Sequence, residues 1–202
     1  MDSNRSEKYP LRRRAVVEAL LGQRGDLLVV AGLGAPAWDV TAAGDAPSNF
    51  PLWGAMGGAV AIGLGLALAQ PSRRVLVTTG DGEMLMGLGS LASVAIQRPP
   101  NLSIVVLDNE RYGETGMQLS HTAGSVDLAA VAAATGIPIC GTISDDEGLQ
   151  AARTQIRHAA GPVFFNIKVR PEQLPLVLPP KDGVYLKDRF RLALLGAAAV
   201  AG

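Results

Sequence analysis

VLVTTGDG at residues 75–82 and LSIVVLDN at residues 102–109 decide the fold. Each is a run of β-branched and aliphatic residues that stops abruptly at glycine or at an oxygen-bearing side chain. A continuous apolar run of this length, without alternation, marks a strand buried on both faces. Between the two, Glu83–Gln97 predicts a helix, and Arg98-Pro99-Pro100-Asn101 a break. Strand, helix, strand in that order predicts a parallel pair joined by a crossover.

The same alternation continues outward. Arg12–Leu21 has helical spacing at Ala15, Val16, Ala19 and Leu20, with Gly22 to stop it. Leu27–Ala31 predicts a short buried strand and Gly32–Pro36 a tight loop. Thr41–Pro51 is polar and turn-rich, and Ala55–Gln70 predicts a helix closed by Pro71. Glu110–Gly124 is a loop rich in Gly, Thr and Ser. Val126–Thr135 predicts a helix, Ile137–Ile143 a strand, Asp145–Ala160 a helix and Val163–Val169 a last strand. Pro171–Pro180 predicts an extended segment, and Leu192–Ala201 a terminal helix or frayed end. The expected fold is α/β: a doubly wound, mostly parallel sheet with helices on both faces. One domain spans 1–202, its core at about 25–170 flanked by an N-terminal helix and a C-terminal Pro-rich segment plus helix.

Composition agrees and excludes other classes. The 202 residues are 48% hydrophobic but only 4% aromatic, as suits Ala/Val/Leu helices packed on a parallel sheet. Lys+Arg and Asp+Glu are both 18, so the chain has no basic footprint for nucleic acid. One cysteine, Cys140, rules out an internal disulfide framework or a cysteine-held cluster and suits a reducing cytoplasm. The most apolar run, Ala55–Ala69, is too short to span a bilayer, so no membrane partner is expected.

In a doubly wound sheet, ligands bind at the carboxyl ends of the strands. Gly32–Pro36, Gly80–Gly82 and Asp108–Gly116 fall there. Asp81 and Asn109, at the ends of consecutive strands, offer a carboxylate and an amide oxygen. With a backbone carbonyl and phosphate oxygens these make an apt octahedral Mg²⁺ set. Gly80 and Gly82 let the backbone approach a ligand closely, and a helix starting near Glu83 would aim free amides at an anion. Taken singly, Asp81 also suits a helix cap and Asn109 an Asx turn.

Gly80-Asp81-Gly82, 26 residues (83–108) and then Asn109 resembles the motif of thiamine-diphosphate-dependent enzymes. Ser48–Gly57, Leu107–Gln118 and Val126-Asp127-Leu128 resemble the β-type subunit or C-terminal half of sulfopyruvate and phosphonopyruvate decarboxylases, and the similarity runs from about Leu27 to about Val169. The resemblance implies thiamine diphosphate and Mg²⁺ as cofactors and a small 2-oxo acid as substrate. It implies Asp81, Asn109 and the backbone carbonyl of Arg111 as metal ligands. It places Gly82, Glu83, Tyr112 and Gly113 on the diphosphate, with the loop of Gly32 and Gly34 beside them. It assigns Gly54 and Met56 to the aminopyrimidine ring, with Met56 propping the cofactor in its bent shape. Many relatives carry Ser or Ala where Glu83 stands, so its side chain is expected to face away or to cap its own helix.

The family's activating glutamate belongs to a pyrimidine-binding domain for which this chain has no room. A hetero-oligomer with a pyrimidine-domain subunit around a dimeric core is therefore expected. His121 is the one candidate proton donor or anion contact in the loop, and an exposed role without chemistry fits it equally. His158, late on a helix, is expected to be solvated. Two further readings stand beside this one. A carboligase of acetolactate-synthase type would use the same cofactor. A nucleotide-binding oxidoreductase would use Val29-Val30-Ala31-Gly32-Leu33-Gly34, whose third fingerprint position is Ala37.

Overall fold

The computed structural model describes residues 4–200. A 3₁₀ turn at Arg5–Lys8 precedes α1 (Arg13–Leu21), β1 (Leu28–Ala31), α2 (Ala35–Ala42), β2 (Asn49–Pro51) and α3 (Ala59–Ala69). Then come β3 (Val75–Gly80), α4 (Asp81–Met86), α5 (Ser90–Gln97) and β4 (Leu102–Asp108). A two-residue hairpin, β5 (Arg111–Tyr112) and β6 (Gln118–Leu119), stands outside the main sheet. α6 (Leu128–Thr135), β7 (Ile139–Ile143), α7 (Asp146–His158), β8 (Val163–Lys168) and α8 (Gly183–Leu195) complete the chain, with a 3₁₀ stretch at Gly196–Val200.

The six-stranded sheet has the order β2-β1-β3-β4-β8-β7, and every pairing in it is parallel. Period-two geometry sends alternate residues of each strand to opposite faces. Val29 and Ala31, Leu76, Val105 and Leu107 pack with α1, α2 and α7 on one side. Leu28 and Val30, Val75 and Val77, Ile104 and Val106 pack with α3, α5 and α6 on the other. Both faces are covered, which is why the strands are apolar throughout.

Several boundaries move from those expected, each for a physical reason. The Gly32–Pro36 loop is shorter than predicted: α2 begins at Ala35, with Pro36 in its first turn, where proline is compatible with a helix. Part of the turn-rich 41–51 stretch is β2, an edge strand of three residues. The predicted helix at 55–70 begins only at Ala59, because Ala55 (φ +57°) and Gly57 (φ +87°) adopt left-handed conformations that a helix cannot contain.

The predicted helix at 83–97 is two helices. A Cβ on Gly87 would lie 2.2 Å from the Gly57 carbonyl oxygen. The chain breaks at Gly87-Leu88-Gly89, where the backbone of residue 57 crosses it. The C-terminal helix starts at Gly183 rather than 192, capped by Asp182, which accepts from the amides of Val184 and Tyr185 at 2.9 and 3.1 Å. It is no loose end: Phe190 stacks on Phe50 beside β2 at a ring separation of 5.1 Å. Ala201, the end of the expected tail, lies outside the described residues.

Close packing of α3 on the sheet depends on Gly63, where a Cβ would sit 2.2 Å from Val77 Cγ2. Val77 is stiff at χ1 in its strand and cannot give way. Gly63→Ala is expected to lower the unfolding free energy by about 1–3 kcal/mol. In urea titrations, adding Val77→Ala should cost less than the sum of the two single changes; strict additivity would show that the contact does not limit the packing.

Candidate functional site

The chain leaves β1 toward β2 on one side and returns past it to β3 on the other. The carboxyl ends of β1 and β3 are thus the switch point of the sheet, where crevices form. A cavity of about 240 Å³ opens there. Leu33, Ala35 and Pro36 line it from the β1 end, Gly80–Glu83 from the β3 end, and Leu107, Asn109 and 111–115 from the β4 end. Met56 and Arg13 complete the wall.

Register sets the charges. Gly80 pairs with Leu107, so the next residues outward are Asp81 and Asp108. Both are buried. Asp108 is well served: its Oδ2 accepts from Lys168 Nζ at 2.7 Å and Asn166 Nδ2 at 2.9 Å, its Oδ1 from Thr122 Oγ1 at 2.7 Å. Asp81 has only hydroxyls. Its Oδ2 accepts from Ser120 Oγ and, at 3.2 Å, from Thr122 Oγ1. Burial, and then repulsion from Asp108, push the Asp81 carboxyl up to about 7. A buried carboxylate without a cationic partner is a place where a cation is stabilising.

Asn109 turns back on itself: its Oδ1 accepts from the Arg111 amide at 2.9 Å, an Asx turn. A carbonyl oxygen has a second lone pair, so the turn leaves it able to ligate a metal. Asp81 does not cap α4 by its side chain; it is the first residue of that helix.

Glu83 does not cap its own helix; its carboxylate is buried and turned toward the end of β1. Its Oε2 accepts from Thr79 Oγ1 at 2.7 Å and the Leu33 amide at 3.1 Å. The reason is the missing side chain at residue 32: a Cβ on Gly32 would lie 1.8 Å from that oxygen. Burial raises the Glu83 carboxyl, against the pull of Thr79 and of the amides of Gly57, Leu33 and Ala59. Glu83 therefore ties the ends of β1 and β3 together. A carboxylate seated on Gly32 and using the Leu33 amide also spoils this loop as a dinucleotide cradle.

Gly82 has a similar logic. A Cβ there would meet Tyr112 Cε1 at 2.6 Å, so the glycine lets the tyrosine ring lie over the β3–α4 turn. At Gly80 and Gly54 a Cβ would meet nothing within 4 Å. Of the sequence-predicted residues, Met56, Gly80, Asp81, Gly82, Glu83, Asn109, Arg111, Tyr112 and Gly113 line one cavity. Gly32, Gly34 and Gly54 lie outside its lining. Gly34 (φ +76°) sits beneath the Glu114 carboxylate, 2.8 Å from a Cβ built there. His121 is exposed and also outside the lining, its Nδ1 3.2 Å from the Tyr112 hydroxyl. His158 is exposed at the end of α7.

Sequence reasoning missed Ser120, Thr122, Asp108 and Arg13. The first two reach Asp81 from 39 and 41 positions away, and no local pattern announces such contacts. Arg13, from the arginine run at the start of α1, is buried against Asp39 at 3.0 Å and lines the cavity. Among the described residues no cluster of three or more His, Cys, Asp or Glu side chains is placed to hold a metal. A metal here would need one carboxylate, one amide, a backbone carbonyl and ligand oxygens, which is how Mg²⁺ is bound beside phosphates.

Sheet order, glycine turns and a buried carboxylate without a cationic partner at the switch point define a cofactor-binding α/β domain, and the comparisons say of which kind. The chain belongs to the thiamine pyrophosphate enzymes: the family model of their C-terminal TPP-binding domain matches residues 38–167. Sulfopyruvate decarboxylase subunit beta of Methanothermobacter thermautotrophicus is 38% identical over 93% of this chain and 97% of its own length. Phosphonopyruvate decarboxylase of Streptomyces hygroscopicus is 37% identical over 87% of this chain, which spans 43% of that longer protein. A solved structure from Mycobacterium smegmatis, described as a thiamin diphosphate-dependent enzyme, superposes with a TM-score of 0.69 at 25% identity, over 81% of this chain and 32% of its own. Benzoylformate decarboxylase from Polynucleobacter necessarius shares the fold, with a TM-score of 0.66 at 21% identity, over 83% of this chain and 34% of its own.

The Asp81 carboxyl carries a pH signature. In the folded, cation-free chain it holds its proton up to about pH 7, whereas an unfolded aspartate loses it near about 4. The resulting stabilisation is complete below the unfolded value and lost as pH rises through the folded one. Melting temperatures from about pH 5 to 8 should fall more steeply for the wild type than for Asp81→Asn, which cannot titrate, and the difference should level off above about 7. Parallel curves would rule the shift out.

Proposed function

We propose that this chain is the diphosphate- and Mg²⁺-binding subunit of a thiamine-diphosphate-dependent 2-oxo acid decarboxylase of the sulfopyruvate or phosphonopyruvate type. The observation that carries the reading is Asp81: a buried carboxylate with no cation, on the same cavity as Asn109 and the 111–113 turn.

In this reading Asp81, Asn109 Oδ1 and the Arg111 carbonyl hold Mg²⁺. The amides of Gly82 and Glu83 and the Tyr112-Gly113 turn hold the diphosphate, with Gly80 leaving open space for it and the Gly32–Gly34 loop held in place by Glu83. Gly54 and Met56 receive the aminopyrimidine ring. Met56 lines the cavity and is 39% exposed, so its side chain is available to prop a ligand. Leu33, Ala35, Pro36 and Leu107 keep that space apolar and exclude water. When bound, the cofactor supplies the electron sink for the pair released as CO₂ leaves. His121, hydrogen-bonded to Tyr112 at the rim, is assigned to proton delivery or to contact with the substrate's anionic group.

A second subunit completes the site. The three acids of the cavity are Asp81, Glu83 and Glu114. Asp81 serves the metal, Glu83 is spent on Leu33 and Thr79, and Glu114 stands over Gly34. The activating glutamate therefore comes from a pyrimidine-domain partner. A single cysteine suits a cytoplasmic setting; burial pushes the Cys140 thiol up to about 11 and keeps it unreactive. Among the described residues no helix is long and apolar enough to cross a membrane.

Thiamine diphosphate with Mg²⁺ should raise the melting temperature of the wild-type chain, and Asp81→Ala should abolish that rise. Reconstituted with the partner, the chain should release CO₂ from sulfopyruvate or phosphonopyruvate. Met56→Ala should keep cofactor binding but lose about 100-fold in kcat, the cost of a ligand misplaced by about 1 Å. Decarboxylation by the chain alone, or acetolactate formation by the pair, would overturn the assignment.

A further inference from the structure

Glu110 separates two of the assigned metal ligands, and its backbone is unusual. Its φ is +61°, a left-handed conformation that L side chains avoid. That twist is what lets Asn109 and Arg111 both line the cavity while the residue between them turns inward, 1% exposed. The inward carboxylate is met by three cationic or phenolic groups. Arg5 Nε lies 3.0 Å from both oxygens, and its Nη2 donates to Oε1 at 2.7 Å. The Tyr9 hydroxyl donates to the same oxygen at 2.7 Å, and Lys168 Nζ at 3.0 Å.

Arg5 also reaches the other side of the site. Its Nη2 donates to the Thr122 carbonyl at 2.7 Å. The hydroxyl of that threonine lies between Asp81 and Asp108, at 3.2 and 2.7 Å. The Glu110 carbonyl meanwhile accepts from the Ser120 amide at 3.0 Å, and Ser120 Oγ donates to Asp81. The N-terminal segment thus clamps both the turn that presents Asn109 and Arg111 and the Ser120–Thr122 turn that supports Asp81, without itself lining the cavity.

We propose that Arg5 and Tyr9 are positioning residues that act through Glu110 to hold the Asn109–Arg111 turn in its metal-binding shape. This rests on the reading of the site as a Mg²⁺–diphosphate centre. Lys168 cannot replace them, because its ammonium is shared with Asp108 at 2.7 Å. A glycine at 110 would tolerate the twist without the carboxylate, which gives the test its control.

The measurement is Mn²⁺ affinity of the full chain with thiamine diphosphate, read by electron paramagnetic resonance, alongside the cation-free melting temperature. Wild type should bind Mn²⁺ and Asp81→Ala should not; if wild type fails, the site reading falls and takes this proposal with it. Arg5→Met should weaken Mn²⁺ binding about tenfold, the usual scale for loss of a group that orients a ligand. Tyr9→Phe should weaken it less, and Arg5→Lys should recover part of the Arg5→Met loss. On a Glu110→Gly background, where only the Thr122 contact remains to be lost, Arg5→Met should weaken Mn²⁺ binding much less than it does in the wild type. If Arg5→Met lowers the melting temperature but leaves Mn²⁺ affinity unchanged, the segment is a structural anchor only and the proposal is wrong. An equal loss of affinity with and without the Glu110 carboxylate would also overturn it.

Discussion

Two strand tips push two carboxylates into one dry corner, and most of the site follows from how that charge is handled. Asp108 is neutralised by Lys168 from the next strand and by the Asn166 amide. Asp81 is left with hydroxyls. Counting protons explains the difference. Ser120 and Thr122 each carry one hydroxyl hydrogen, but they make contacts to Asp81, to Asp108 and to each other at 2.9 Å. Two hydrogens cannot fill them all. A proton on Asp81 completes the chain Asp81–Ser120–Thr122–Asp108; a cation on its other oxygen would instead offset the charge, leaving Ser120 and Thr122 to donate one hydrogen each to Asp81 and Asp108. The elements around the corner, from the Asx turn at Asn109 to the Tyr112 ring over Gly82, keep it shaped.

Much of this was legible in the chain. The fold class followed from apolar strands ending at glycine, because a strand covered on both faces leaves a run that no surface strand would tolerate. The motif residues were legible for a related reason: strand ends in a doubly wound sheet are where polar loops converge, so Gly80–Gly82 and Asn109 could be placed together without coordinates. The expected family proved to be the family to which the chain belongs.

What was not legible depended on contacts between distant segments. The helix expected over 83–97 runs through Gly87, Gly89 and Ser90, which are breaker residues in their own right; the passage of Gly57 explains why the break falls at Gly87. α2 hid because Gly32–Pro36 reads as a turn whether or not a helix follows. Glu83 could not be oriented from its own neighbourhood, since the vacancy it fills belongs to Gly32. Arg5, Tyr9, Glu110 and Lys168 lie far apart in sequence, and nothing local in any of them signals a shared carboxylate.

The meeting of Gly57 and Gly87 has a further consequence. It is a contact of main chain on main chain, so there is no side chain to trim, lengthen or repack. The interval from the Met56 shelf to the first turn after β3 is fixed by peptide geometry, like a gauge block between two jaws. Drift elsewhere in the core can loosen or tighten the surrounding layers without resetting it. Any side chain at residue 87 would have to displace the carbonyl of residue 57, so such a spacing has no graded variants.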